Sequence, residues 1–417
     1  MLIDITPLRR HREYRLLYTG QFVSSFGSFL TMVALPVQIY DLTKSSAIVG
    51  MLGAVQLVPL ALTALWGGAF ADAFDRRRML LGCETILLCG SLALLFNAAL
   101  PHPSVVAIFA IAACMSATIG FHSPALESLV PRLVTREDIP AVSALGSLRG
   151  STAAIAGPAL AGVCIAAFGL PCVFGLDAVT FLVSLTALCL MKPLPPTENA
   201  PVVGLASIIE GLRYGLSRRE LVGTYVVDIV AMTFAMPMAV FPALAAQWGG
   251  SHDAGYLYAA LSVGALLTTL TSGWTRKVQH HGAAVVIAAA LWGVAIAALG
   301  FANSLPVAIA CLMLAGAADM VSGLFRMTIW NETIPPQIRG RMAGIEQLSY
   351  MSGPLLGNAR AGLMAEQFGL ARSITSGGVI CVVLVLTLVP VLPAFWRYRR
   401  PPATGSTEPV PAAESAT

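Results

Sequence analysis

Charge is what this sequence has least of. Only 11% of its 417 residues are Asp, Glu, Lys or Arg, while 57% are apolar; soluble globular domains carry about 25% charge. Such a chain lacks the polar surface to cover a water-exposed fold, so a soluble protein is excluded. Lysine is nearly absent: Lys44, Lys192 and Lys277 are the only three, and they follow Thr43, Met191 and Arg276. None completes the G-x-x-x-x-G-K-[ST] loop that cradles phosphates, which excludes nucleotide hydrolysis by that route. The eight cysteines form no C-x-x-C pair and no Cys/His cluster of metal spacing. They fall inside apolar runs and read as small core residues, so no metal and no cofactor is expected. A net charge of +4 implies no nucleic-acid surface. A membrane enzyme is disfavoured too, because His122 is the only histidine well inside an apolar run and no H-E-x-x-H or nucleophile–base triad accompanies it.

What the sequence does have is long apolar runs. Proline, glycine and charge divide it into twelve, at about 16–40, 46–71, 79–100, 104–129, 141–167, 172–191, 222–247, 254–275, 282–302, 305–332, 342–366 and 372–395. Each is long enough for a bilayer span of about 20 residues. Backbone groups in lipid must be satisfied within the segment or in a closed barrel, and barrel strands of about 9–11 alternating residues are too short to match. The runs therefore predict transmembrane helices. The first is too long for a signal-peptide core and lacks a cleavage pattern, so it reads as a retained span.

Basic residues orient these spans, because short cytoplasmic loops accumulate Lys and Arg. Twenty of the 25 fall on one set of loops and both tails, Lys44 and Arg372 on the alternate set, and Arg149, Arg326 and Arg360 within spans. A miscounted span would switch the sides of all later charges, so the distribution predicts an even number of spans with both termini cytoplasmic. The one long connector, 192–221, opens with Lys192-Pro193-Leu194-Pro195-Pro196 and carries a short amphipathic segment around 207–216. It separates a first half, 1–191, from a second, 222–396, which is followed by a Pro-, Ala-, Ser- and Thr-rich tail at 397–417 expected to be disordered. Residues 157–170, GPALAGVCIAAFGL, match residues 357–370, GNARAGLMAEQFGL, at seven of fourteen positions with an offset of 200. The halves read as parallel repeats.

Twelve helices in two such halves resemble the major facilitator superfamily, and the loop after the second run strengthens the likeness. Gly67-Gly68-Ala69-Phe70-Ala71-Asp72-Ala73-Phe74-Asp75-Arg76-Arg77-Arg78 is similar to that family's G-x-x-x-D-[RK]-x-G-x-[RK]-[RK] signature, with Ala73 in place of a basic residue and Asp75 in place of glycine. The resemblance implies a conformational latch. Gly68 would allow close packing, Asp72 would meet the N-terminus of a neighbouring helix, and Arg76, Arg77 and Arg78 would hold carboxylates or helix ends. Gly157-Pro158 with Gly162 is similar to the glycine-proline motif of the superfamily's antiporters, and Gly353-Pro354 with Gly357 echoes it; both are hinge candidates. Pro36-Val37-Gln38-Ile39-Tyr40-Asp41-Leu42-Thr43, the stretch Leu129 to Asp138, Glu210-Gly211-Leu212-Arg213-Tyr214 and Arg339-Gly340-Arg341 resemble the branch that holds siderophore exporters and macrolide efflux pumps.

Ionisable residues at membrane depth are costly and are functional candidates by default. In the superfamily helices 1, 4, 7 and 10 line the central cavity, which would place His122, Asp228, Asp319 and Arg326 near a substrate path. Asp319 and Arg326 are seven apart and share a helix face. Aligning Pro131 with Pro335 sets His122 opposite Arg326, each preceded by phenylalanine, so that each half would turn one such group to the cavity. Arg149 could reach substrate or pair with Glu346 or Asp228. Glu84 and Glu127, near the basic-loop end, could snorkel; Asp177 reads as a local hydrogen-bond partner, and Arg360 is open between the two roles. The expected protein is a monomeric inner-membrane secondary transporter. It would export a small organic molecule against protons, a catecholate siderophore such as enterobactin by resemblance, with a macrolide-type drug as the alternative.

Overall fold

The structure, a computed structural model, describes residues 4–193, 213–250, 253–335 and 339–399. Most of the expected amphipathic segment at 207–216 and the tail from 400 lie outside these residues. After a short α1 (Thr6–Arg10) come α2 (Arg12–Thr43), α3 (Ser46–Ala73), α4 (Arg76–Ala99), α5 (Val105–Leu129), α6 (Ile139–Leu190), α7 (Arg219–Ala235), α8 (Phe241–Ala245), α9 (Ala254–Leu270), α10 (His281–Leu299), α11 (Leu305–Thr333), α12 (Arg339–Phe368), α13 (Leu370–Val391) and α14 (Pro393–Trp396). No strand occurs among the described residues, and nine helices are long and apolar enough to cross a membrane. The chain is an all-α multi-pass membrane protein.

Helix α6 carries two of the expected runs, 141–167 and 172–191, with no loop between them. The chain turns at Gly169 alone, with φ 78° and ψ 174°, and the α12–α13 corner turns in the same way at Gly369, with φ 87° and ψ 158°. This backbone region is essentially closed to residues with a Cβ. The Phe-Gly-Leu shared by the two repeats is thus a pair of equivalent corners. Gly169→Ala and Gly369→Ala are each expected to cost about 1–3 kcal/mol, read as a lowered unfolding midpoint of the detergent-solubilised protein.

The expected span 222–247 is not one helix. Helix α7 stops at Ala235, a 3-10 turn covers Met238–Val240, and α8 begins at Phe241. Pro237 and Pro242 supply no amide donors, so a continuous helix would lose bonds on both sides. The break is satisfied from neighbouring helices: the Ala239 amide donates to Asn358 Oδ1 at 3.0 Å and the Tyr258 hydroxyl to the Met238 carbonyl at 2.9 Å. Irregular backbone in a membrane protein needs such partners. The run 254–275 is also shorter as a helix, ending at Leu270 before a 3-10 segment, Ser272–Lys277. The cysteines correct a further expectation. Cys83 and Cys381 are buried, but Cys89, Cys114 and Cys189 are exposed on helix surfaces, because in a membrane protein an apolar position can face lipid as well as core.

Helix α2 packs along α6, α3 against α5 and α12, and α9 against α6 and α11. At two crossings between a helix of the first half and one of the second, the backbones touch. A methyl group on Gly255 of α9 would lie 2.6 Å from the Pro158 carbonyl oxygen and 2.8 Å from the Gly162 Cα of α6; one on Gly50 of α3 would lie 2.6 Å from the Asn358 oxygen and 3.0 Å from the Gly362 Cα of α12. Gly162 and Gly362 are partners in the repeat. Beside the second crossing, Glu366 accepts from Ser45 Oγ at 2.9 Å and from the Ala47 amide at 3.5 Å, a carboxylate at the positive end of α3. Towards the basic-loop end of α6, a methyl group added to Gly146 or Gly150 would meet nothing within 4 Å. The α6–α9 crossing is closed at Gly162 and Gly255.

Candidate functional site

Two groups of charged side chains are drawn together inside the bundle. In the first, Asp228 of α7 forms an ion pair with Arg326 of α11, whose other Nη lies 3.7 Å from Asp319 Oδ1. Asp319 and Arg326 meet because seven residues make nearly two helical turns. Asp228 and Arg326 are sealed, at 5% and 4% side-chain exposure, whereas Asp319 is 35% exposed. Desolvating an ion pair costs several kcal/mol per ion unless geometry and hydrogen bonds offset it, and here the buried guanidinium leaves its Nε without an acceptor. A cavity beside the cluster is lined by Met232, Trp292, Ser322 and the two aspartates. Tyr350 of α12 is 56% exposed, yet its charged neighbours are Asp319, Arg326 and Asp228. Its exposed side chain is thus within electrostatic range of the cluster. No charge marks Tyr350 in the sequence, and the only available signal was the polar stretch Glu346 to Ser349 that precedes it.

The second group lies between α2, α4, α5 and α6. Glu84 is fully buried. Its Oε1 accepts from Gln21 Nε2 at 2.6 Å and stands 3.1 Å from His122 Nε2, while Gln21 also donates to Ser184 Oγ at 3.1 Å. Glu84 Oε2 has no hydrogen-bond partner. One layer away, Asp177 accepts from Thr31 at 2.6 Å and Ser91 at 2.7 Å. Glu84 and Ser91 on α4, and Ser184 and Asp177 on the antiparallel α6, repeat the seven-residue spacing, which stacks the two polar layers.

This placement changes several expectations. Glu84 does not snorkel: its helix face points at Gln21, so the carboxylate turns inward, while Glu127 is exposed. His122 and Arg326 each pair with a carboxylate, Glu84 and Asp228. Arg149 forms no ion pair among the described residues and lies near the hydroxyls of Tyr14 and Tyr18; Glu346 lies near Tyr225. Arg360 donates to the Ser373 carbonyl at 3.5 Å. At the hinge candidates α6 keeps helical dihedrals through Gly157-Pro158. Gly157 admits Phe29, Gly353 admits Met232, and Gly357 admits Met232 and Met236.

In the latch segment, the side chains of Gly68 and Asp72 lie outside the described residues. The arginines hold helix ends and a hydroxyl. Arg77 donates to the Leu188 and Cys189 carbonyls at 2.9 Å each, at the C-terminus of α6, and Arg76 to Ser128 Oγ at 2.9 Å. Cations at a helix C-terminus are favoured. Asp75, the departure from the family signature, caps α4 by accepting from the amides of Arg77 at 2.9 Å and Arg78 at 3.2 Å, and Arg78 lies 3.9 Å from it. A residue of N-cap type ahead of a helix was the signal for this role.

A family model described as transmembrane secretion effector, MFS_3, matches residues 4–404. An enterobactin exporter, EntS, from Citrobacter koseri is 27% identical over 410 residues, 98% of this chain and 99% of that one. The enterobactin exporter EntS of Shigella boydii serotype 18 is 28% identical over 403 residues, 96% and 97% of the two chains. Among solved structures, a POT family transporter in complex with 5-aminolevulinic acid superposes with a TM-score of 0.73 at 12% identity, covering 92% of this chain and 97% of that one. The human organic anion transporter MFSD10 superposes with a TM-score of 0.65 at 17% identity, covering 90% and 99%. With the matched residues running through every described helix, this chain belongs to the transmembrane secretion effector family of major facilitator transporters.

Proposed function

We propose that this protein is an inner-membrane secondary transporter that exports a catecholate siderophore such as enterobactin against protons, by rocking two six-helix halves, 1–191 and 222–396. The observation that carries the reading is the match to enterobactin exporters along nearly the whole of both chains. The chemistry of the Asp228–Arg326–Asp319 cluster supports it: the exposed Asp319 carboxylate can accept from catechol hydroxyls, Arg326 places a cation behind it, and the exposed Tyr350 ring nearby offers a stacking face. With both termini cytoplasmic, the closed Gly50–Gly362 and Gly162–Gly255 crossings lie on the outer side. Asp228, Asp319, Arg326 and His122 contact substrate or protons as a monomer works through its cycle.

The test is mass spectrometry of culture medium under iron starvation, from cells with and without the protein. Loss of the secreted siderophore on deletion is expected. Unchanged secretion accompanied by lowered macrolide resistance would replace the siderophore reading with drug efflux.

A further inference from the structure

The two buried charge groups differ in one chemical respect. In the Asp228–Arg326–Asp319 cluster the cation is a guanidinium, which does not release its proton in proteins. Around Glu84 no permanent cation is in contact among the described residues. The groups that face it are Gln21 from α2, His122 from α5, Ser184 from α6 and the neighbouring Cys83 on α4, with Asp177 one layer further along α6. An isolated buried carboxylate is strongly disfavoured. The charge of Glu84 can therefore be balanced only by a proton, carried either by His122 or by Glu84 itself.

We infer that Glu84 and His122 form the proton-binding site of this transporter, spatially separate from the Asp228–Arg326–Asp319 cluster that meets the exported molecule. The inference rests on the proposed proton-driven export. His122 is 14% exposed and Glu84 not at all, so the imidazole is the water-side member of the pair. It takes a proton from hydronium on one ring nitrogen, leaving water, and gives its Nε2 proton to Glu84 Oε1. The ring returns to neutrality, the carboxylate becomes a carboxylic acid, and no other bond changes. The amide of Gln21, itself held by Ser184, orients the accepting oxygen. The pair then holds one proton while it is dry and releases it when the surrounding helices part and water reaches the imidazole.

The experiment uses the full-length protein in proteoliposomes, with enterobactin as probe. A gradient of about one pH unit can sustain about tenfold accumulation by one-for-one exchange. Glu84→Gln is expected to abolish that accumulation while leaving gradient-free enterobactin exchange in place. In parallel, pH-difference infrared spectroscopy of the substrate-free protein is expected to show a titrating carboxyl band that is lost in Glu84→Gln and moved along the pH axis in His122→Asn. Accumulation that survives in Glu84→Gln, or a carboxyl band untouched by it, overturns the assignment. Should Glu84→Gln fail to fold, His122→Asn carries the decision through the same band. If the native protein moves no enterobactin, the export reading fails, while the infrared result still stands or falls by itself.

Discussion

Arg326→Met is expected to abolish transport and to destabilise the protein by about 3–5 kcal/mol, the cost of leaving one member of a buried ion pair behind. Asp228, at 5% exposure, has no other basic partner among the described residues, so the substitution strands a carboxylate in a low-dielectric site. Asp319 suffers less, because 35% of its side chain is open and water can solvate it. The double variant Arg326→Met/Asp228→Asn removes the stranded charge and is expected to recover most of the stability but none of the transport. Thermal unfolding of the four proteins of this cycle separates the two effects, since the coupling energy isolates the pair from its surroundings. A single variant as stable as the native protein would show that Asp228 and Arg326 do not form a buried pair.

Gly255→Val and Gly50→Val are expected to hold the closed end of the bundle open. Each new side chain would meet a carbonyl oxygen and a glycine Cα of the facing helix. These are backbone atoms, which cannot swing aside as a flexible side chain would. Overpacking costs about 1–3 kcal/mol, and about 2 kcal/mol charged to one conformation alone shifts its population about thirtyfold. Because the transport cycle needs both conformations, turnover should fall with that population. Spin labels on α3 and α12 read the separation directly: longer distances are expected in Gly50→Val, with Gly150→Val, where the space is open, as the control that moves nothing. Unchanged distances in Gly50→Val would mean that the crossing is not a gate contact.

The features that were legible early are those with a short-range or compositional cause. Apolar run length sets the helices, and proline and glycine mark their ends. The seven-residue spacing of Asp319 and Arg326 put the two on one face, and the Phe-Gly-Leu repeat proved to be two equivalent corners at Gly169 and Gly369. Asp75 shows the limit of pattern reading. Measured against a family signature it is a mismatch, and measured against helix physics it is an N-cap.

Pairings between distant helices were not legible. Asp228 meets Arg326 and Glu84 meets His122 only after the helices pack; nothing in a single sequence states which face of α4 turns toward α2, or that Tyr350 lies exposed near the cluster. The break at Met236 to Val240 also needed its partners, Asn358 and Tyr258, to be in place. By itself the sequence determined that this chain lives in a membrane, that it is helical and repeated, and which few charges must be accounted for, because the cost of burying a charge or an unpaired backbone group in lipid is the same in any fold. Only the tertiary structure decided which charge neutralises which, since that depends on helix rotation and close approach, set by glycine contacts and side-chain packing between segments far apart in the chain.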